Sequence, residues 1–569
     1  MKNVDQVTLS ILVNNLYWIA EEMNVYLTRA AFSTNIKVRR DCSCALYTKN
    51  GEMIAQGEFV PVHLGVMCQT IKAVLQEYPA SAWYDGDVVI HNDPYRMGSH
   101  LWDVMLFQPV FYKGELIAFV GNMAHHVDVG GAAIQSSLPT IFEEGLRIPP
   151  IKLFEKGVAQ ESVFKIISNN VRTPYEMRGD LAAQSAANYR GVQRICELAE
   201  KYTPAVLTEY FEEILNYSER GMRQTIKSIT DTQASFEDYV EHDGISEGMF
   251  KIHADVMIKG DELFVDFEGS AEPGKGGVNA PWSLTHSAVY YAVKSVLGSN
   301  IPANAGAYRP IHLIHPKKES MVDVKFPHAV GSCTCTPSQR IADVVIGALS
   351  QIVPERTCAC DGHWPSGKFV GLDPRTGRYS AYLETYACGR GAKYNDDGAD
   401  GHQTHMTNTS NAPIEIIELE HPLRVTRYAL IPDSCGAGEY RGGVGITREL
   451  AATSDMAVTA LGNRPGIRPY GLYGGKGGSV DYCMIEMQDG TAVSSSTEVK
   501  AGDRIVIRSS GGGGWGDPLK REIGRVETDV LDGYISVDAA RNEYGVVIDP
   551  ASMKANREKT ELTRKQMKK

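Results

Sequence analysis

No apolar run of roughly 18 residues, the length a membrane-spanning helix needs, occurs in the 569-residue chain. Its first residues include apolar positions, but Asp5, Glu21 and Glu22 interrupt them and no small-residue cleavage pattern follows, so no secretory signal is expected. Basic charge is short as well: 57 Lys and Arg stand against 69 Asp and Glu, a net charge of −12. That balance offers no footprint for nucleic acid or an anionic membrane, and the only basic cluster is the tail LTRKQMKK. Cysteine lacks order, because 11 residues, an odd number, are scattered without a C-x-x-C pair. This excludes a secreted disulfide framework and fits reduced thiols in a cytoplasm. A complete nucleotide loop is missing too. Gly269-x-x-x-x-Gly274-Lys275 comes near a P-loop, but Gly276 stands where the magnesium-holding hydroxyl belongs, and Pro273 removes a backbone donor.

The remaining composition, 43% hydrophobic and 22% charged, is that of a globular protein too long for one core. The fold class expected is α+β (mixed α/β) and multidomain. Residues 1–240 would form a mixed domain with a long helical pair, 241–365 a mixed α/β domain, and 366–569 a β-rich domain with a C-terminal tail. Leu12, Leu16, Ile19, Met23, Tyr26 and Ala30 recur at helical spacing, predicting a helix from about Asp5 to Phe32. Asn50-Gly51 predicts a hairpin turn. The stretches 176–202 and 204–229 read as two helices with Pro204 at a start position. Strand-like IHLIH and VDVKF runs follow the helix expected over 281–297, and Gly-rich short β runs dominate after residue 365. The run Gly511–Gly514 looks like a flexible linker by composition, yet Trp515 beside it asks for burial.

The stretch from His91 to Gly131 carries the chemistry. Val104–Tyr112 and Glu115–Met123 are apolar, β-branched and aromatic runs joined by Lys113-Gly114, a hairpin pattern. A turn centred on that pair would set Asp103 opposite Ala124 and Trp102 opposite His125. The open end then gathers His100, Asp103, His125, His126 and Asp128, with His100 and Asp103 in an H-x-x-D spacing that turns both side chains to one side. Imidazoles and carboxylates converging on one spot are ligands for zinc, manganese or iron. Each residue taken singly reads equally as a cap or a solvated side chain. Together they need a cation, because clustered desolvated carboxylates repel one another. Cys333, Cys335, Cys358 and Cys360 read as buried or edge cysteines in preference to zinc ligands. His402 and His405 read as structural or substrate-contacting. Asp41, in a strand-like run, is open to pairing with Arg39 or Arg40.

Asn92–Tyr95 (NDPY), Gly98–Asp103 (GSHLWD), Ala124–Gly131 (AHHVDVGG) and Ile36–Ala45 resemble motifs of the hydantoinase B/oxoprolinase family. That family includes ATP-dependent hydantoinases, 5-oxoprolinases and caprolactamase, with acetone and acetophenone carboxylases as distant relatives. The resemblance spans nearly the whole chain. It implies a metal site of Asp41, His100, Asp103 and His125, with zinc foremost and manganese or iron also fitting, and His126 and Asp128 as catalytic groups beside it. It further implies the β subunit of an ATP-dependent cyclic amidohydrolase acting on hydantoin, 5-oxoproline or a lactam. ATP and magnesium would sit on a hydantoinase A-like α subunit of an α2β2 assembly. The alternative implied is a β-type subunit of a ketone carboxylase using bicarbonate, and a third reading is a purely structural partner.

Overall fold

The computed structural model describes residues 5–134 and 137–568. Asp5 caps the first helix, Gln6–Ala30, by accepting from the amide of Thr8. Leu12, Leu16, Ile19, Met23 and Leu27 form its buried line. Tyr26 and Ala30 are exposed, because the 3.6-residue period keeps residue 27, not 26, in line with 23.

Strands β1 (Cys42–Thr48) and β2 (Met53–Gln56) form the hairpin expected at Asn50-Gly51. β3 (Val88–His91), β4 (Asp103–Tyr112), β5 (Glu115–His125), β6 (Ile151–Glu155) and β7 (Val158–Ala159) complete an antiparallel seven-stranded sheet in the order β2-β1-β5-β4-β3-β6-β7. Helices Gln6–Ala30 and Pro174–Tyr202 pack together against β1, β2, β4 and β5, and helix Pro61–Glu77 packs against β1 and β5. The second long helix, Pro204–Lys227, follows after Thr203 alone, as the sequence pattern predicts.

A second sheet joins β8 (Thr232–His242), β9 (Glu247–Lys259), β10 (Glu262–Asp266) and β11 (Ile311–Ile314) in the order β11-β10-β9-β8. Helices Pro337–Ser350 and Trp282–Leu297 pack on one another, the first also covering β8 and β9. The VDVKF run forms turns instead of a strand, and Pro327, which follows it, cannot donate to a ladder. Residue 240, expected at a domain boundary, lies inside β8, and one apolar core extends from Leu9 to Val353 and takes in Met406.

The second core begins at Phe369. Strands β12 (Ser366–Asp373), β13 (Arg378–Thr385), β14 (Leu423–Leu430), β15 (Ile446–Ala452), β16 (Met456–Leu461), β17 (Tyr482–Glu486), β18 (Ala492–Val493), β19 (Ser495–Val499) and β20 (Arg504–Arg508) make two sheets, β13-β12-β16-β19 and β14-β15-β20-β17-β18. The whole is α+β, β-rich after residue 365, as expected. The glycine run is no linker. A Cβ on Gly512 or Gly513 would stand 2.1 Å from the Arg390 carbonyl oxygen or 2.0 Å from that of Tyr470, so only glycine fits between these backbones. Trp515 beside it is buried. No helix among the described residues is long and apolar enough to cross a membrane.

Candidate metal centre

Asp103 opens β4 and His125 closes β5, and the two are directly paired. This is one residue away from the register expected. A bulge between Val110 and Phe111 gives β5 an extra residue, and the slip carries His125, not Ala124, opposite Asp103. The Asp103 amide donates to the His100 carbonyl oxygen at 3.2 Å, closing a tight turn. His100 Nδ1 thereby lies 3.4 Å from Asp103 Oδ2, and the His100 and His125 rings meet edge to face at 5.0 Å. One potential ligand atom from each of His100, Asp103 and His125 lies within 4.8 Å of the others.

Asp41 sits just before β1 and not inside the strand. Because β1 pairs with β5, Asp41 comes alongside His125, whose amide donates to the Asp41 carbonyl oxygen at 3.0 Å. Asn35 Nδ2 ties the two side by side, donating to the His125 carbonyl oxygen at 2.7 Å and to Asp41 Oδ2 at 3.3 Å. Arg39 is not a partner of Asp41. Its guanidinium reaches across to the Leu383 carbonyl oxygen and the Thr385 and Thr409 hydroxyls.

One member of the cluster escapes the sequence reading. His63, near the start of helix Pro61–Glu77, puts Nε2 3.3 Å from Asp103 Oδ1 and 3.7 Å from Asp41 Oδ1. Its only sequence signal is a histidine inside an apolar helical run after a proline. Burial would push the His63 imidazole down, but Asp103 and Asp41 outweigh it and raise its pKa. Burial would raise the Asp103 carboxyl; His100 and His63 prevail and hold it far below the carboxylate range. His125 is pushed down to about 4 by burial, so its ring is neutral and able to ligate near pH 7. His100 Nδ1 and Asp103 Oδ1 are buried without hydrogen-bond partners. Among the described residues no Lys or Arg forms an ion pair with Asp41 or Asp103.

These side chains line a cavity of about 80 Å³ closed on its far side by Ser366, Lys368, Leu383, Thr385, Thr459 and Leu461 of the second core. That space holds roughly five waters, so in this form it takes a small ligand.

His126 and Asp128 do not join the cluster. Strand alternation turns His126 to the opposite side, where Nε2 lies 2.9 Å from Gln184 Oε1 of helix Pro174–Tyr202. Asp128 accepts from Arg172 Nη1 at 2.9 Å and from the Gly130 amide at 3.3 Å. Neither lines the cavity.

A second buried group, Asp343, Cys360 and His363, also has metal-ligand spacing. His363 bonds Asp343 through Nε2, His405 Nε2 lies 3.0 Å from the same carboxylate, and Arg464 Nη2 lies 3.1 Å from Asp343 and 3.0 Å from Cys360 Sγ. Arg340 and Arg464 are fully buried around it with Asp238. A dication would face a guanidinium at contact distance, so this network is already neutralised. Among the described residues the four cysteines of the two C-x-C pairs do not gather, and Cys435 is pushed up to about 12 by burial, far from a reactive thiolate. At the near P-loop, Asn279 accepts from the Gly274 amide and Asp243 from the Lys275 amide, leaving neither donor for a phosphate.

Residues 5–518 match the family described as hydantoinase B/oxoprolinase. A putative B subunit of a D-/L-hydantoinase from Pseudomonas sp. is 33% identical, covering 99% of both chains. The beta subunit of caprolactamase from Pseudomonas jessenii is 32% identical over 96% of this chain and 97% of its own. The crystal structure of the ATP-dependent caprolactamase from that organism superposes with a TM-score of 0.91 at 30% identity, covering 99% of this chain and 100% of that one. A nucleotide-free acetone carboxylase shares the fold with a TM-score of 0.91 at 19% identity, covering 99% of this chain and 83% of its own.

Proposed function

The chain belongs to the hydantoinase B/oxoprolinase family, and from that premise we propose that it is the β subunit of an ATP-dependent cyclic amidohydrolase opening a hydantoin, 5-oxoproline or lactam ring. The observation that carries this reading is the convergence of His100, Asp103 and His125 at one cavity, with no Lys or Arg ion-paired to the carboxylates among the described residues. Asp41, His100, Asp103 and His125 would hold one divalent cation, zinc foremost and manganese or iron by the same nitrogen and oxygen donors. When bound, such an ion polarises a carbonyl or lowers the pKa of a water. His100 Nδ1 and Asp103 Oδ1, buried and making no hydrogen bond, fit that ion. Ser99, which donates through Oγ to Asp103, and Asn35, which bonds Asp41, fix the carboxylates in place.

Unstrained ring amides resist hydrolysis, and ATP helps only through a phosphorylated intermediate. Without a phosphate loop of its own, the chain would depend on a hydantoinase A-like α subunit for ATP and magnesium, in an α2β2 assembly. That subunit would phosphorylate the ring carbonyl oxygen. Water would then add at the same carbon, the ring C–N bond would break with a proton passing to nitrogen, and a second water would release phosphate from the acyl phosphate. The carboxylase reading has only the shared fold behind it.

The experiment is metal content of the purified chain, wild type beside Asp41→Ala and His100→Ala, followed by turnover with ATP and the partner subunit. About one transition metal per chain, lost in both variants, is expected. A folded wild type that takes up no zinc, manganese or iron would sink the proposal, and incorporation of labelled bicarbonate would replace hydrolase by carboxylase.

A further inference from the structure

The wall of the cavity opposite the metal cluster is a sheet face of unusual composition. β13 and β16 flank β12, with Ser366 opposite Thr385 and Leu461, and Lys368 opposite Leu383 and Thr459. All six line the cavity. Alternation along β12 therefore turns one cationic side chain, among the hydroxyls and alkyl groups of this wall, into a space that Asp41, Asp103 and Glu144 line from the other elements. Lys368 is 5% exposed, and its Nζ has no hydrogen-bond partner. Its nearest support is the Trp102 ring, 5.0 Å from Nζ to centroid. Asp128, the acidic group with most influence on it, is engaged by Arg172 and the Gly130 amide. A cation–π contact offsets only part of the desolvation of an ammonium.

Two more buried donors on the same cavity are unmatched: the indole nitrogens of Trp102 and Trp364, neither of which finds an acceptor. Three residues that line one small space each carry an unmatched buried N–H group, and together they call for an acceptor carrying negative charge and several oxygens. Trp102, whose ring packs edge to face on His100 at 5.4 Å, joins this wall to the metal cluster, where a carbonyl carbon and a water belong. We propose that Lys368, with the indole N–H groups of Trp102 and Trp364, forms an oxyanion subsite that takes the phosphoryl group of the activated cyclic amide. This rests on the reading of the chain as receiver of a phosphorylated substrate, and it adds where that phosphate sits. Lys368 sets one positive charge, and the indoles two neutral donors, toward a phosphoryl group, while the reacting carbon is left to the metal side. A carboxylate on the substrate shares the oxyanion chemistry, so the test separates the two.

The probes are inorganic phosphate and acetate, titrated calorimetrically into the full chain, both metal-loaded and metal-stripped, with tryptophan fluorescence recorded alongside. Wild type, Lys368→Met and Lys368→Arg are compared, and metal content is measured on each. Phosphate should bind wild type in both metal states and more tightly than acetate. Lys368→Met should weaken phosphate roughly 10- to 100-fold, the effect of one charge-assisted hydrogen bond, with metal content unchanged. Lys368→Arg, which keeps the charge, should retain most of the binding and shows that the methionine result is not misfolding. Equal phosphate affinity in wild type and Lys368→Met overturns the subsite, as does phosphate binding that vanishes on metal removal. Acetate binding as tightly as phosphate overturns the phosphoryl assignment. Because phosphate is titrated into metal-stripped chain, these results stand apart from whether the metal reading or the amidohydrolase reading survives.

Discussion

Two clusters among the described residues have metal-ligand spacing, and Asp343→Asn tells them apart. Asp343 lies on helix Pro337–Ser350 of the first core and reaches His363, His405 and Arg464, which flank or belong to the second. Burial would raise its carboxyl, but His363 and His405 prevail and hold it well below the usual range, so it is charged at any working pH. With Arg464 Nη2 at 3.1 Å, an effective dielectric near 20 gives about 5 kcal/mol of gross attraction. Asp238, 2.6 Å from the same guanidinium nitrogen, retains part of that after substitution. Removing one partner of a buried charge network costs about 3–5 kcal/mol, so Asp343→Asn in a chain of 569 residues should lower the melting temperature by roughly 2–4 °C. The assay is differential scanning calorimetry with metal analysis on the same samples, set beside His100→Ala. Asp343→Asn should lose stability and keep its metal, whereas His100→Ala should lose its metal. A melting temperature within about 1 °C of wild type, or metal lost from Asp343→Asn as fully as from His100→Ala, would refute the assignment of charge and metal to separate clusters.

Glu144 lines the same cavity as the metal cluster, with Oε1 accepting from the Val330 and Gly331 amides and Oε2 unpartnered. Burial pushes its carboxyl from 4.5 up to about 8. The folded state then holds a proton the unfolded state has released, so this group lowers stability by about 1.4 kcal/mol per pH unit between those two values and by a constant amount above. Glu144→Gln removes that dependence: its melting temperature relative to wild type should climb from pH 4.5 toward pH 8 and level off beyond, and a constant difference would contradict the buried, protonated carboxyl. His126→Ala leaves the Gln184 side-chain carbonyl without its partner and should cost about 1–3 kcal/mol, read by denaturant unfolding, with metal content intact; loss of metal would return His126 to the site.

The hairpin mouth was legible because its signals are local: two β-rich runs, a Lys-Gly turn and a dense set of His and Asp at their far ends. Its register was not, since a bulge between Val110 and Phe111 is set by packing on both sheet faces and leaves no mark in the strand pattern. The same slip decides side. Asp103 and His125 sit side by side on the cavity face of the sheet, while His126, one residue on, faces helix Pro174–Tyr202. His63 and Lys368 are remote from His100 in the chain, and neither belongs to a motif with other ligand-type residues nearby. Nothing short of the tertiary contact between the two cores brings them to one space. The glycine run misled for a related reason: composition cannot distinguish backbone left free from backbone packed against backbone.

What separates the two charged clusters is closure. Around Asp343, each charge has its answer inside the protein: arginines face aspartates, and both histidines share one carboxylate. Such a network ties the two cores together, and although Arg464 Nε and Nη1 lack hydrogen-bond partners, its carboxylates already face guanidinium groups and leave no place for a cation. Around Asp103 both sides of the cavity stay unmatched. Two carboxylates have only histidines as charged partners, His100 Nδ1 and Asp103 Oδ1 make no hydrogen bond, and on the same cavity the residues Lys368, Trp102 and Trp364 carry an ammonium and two indole N–H groups without acceptors. Leaving buried polar groups unmatched destabilises a fold by about 1–3 kcal/mol each, and packing alone gives no reason to keep so many at one seam. A cation on one wall and an oxyanion on the other would satisfy both sets at once. The carbon between them would be held where a polarised carbonyl, a water and a departing phosphate all need to meet.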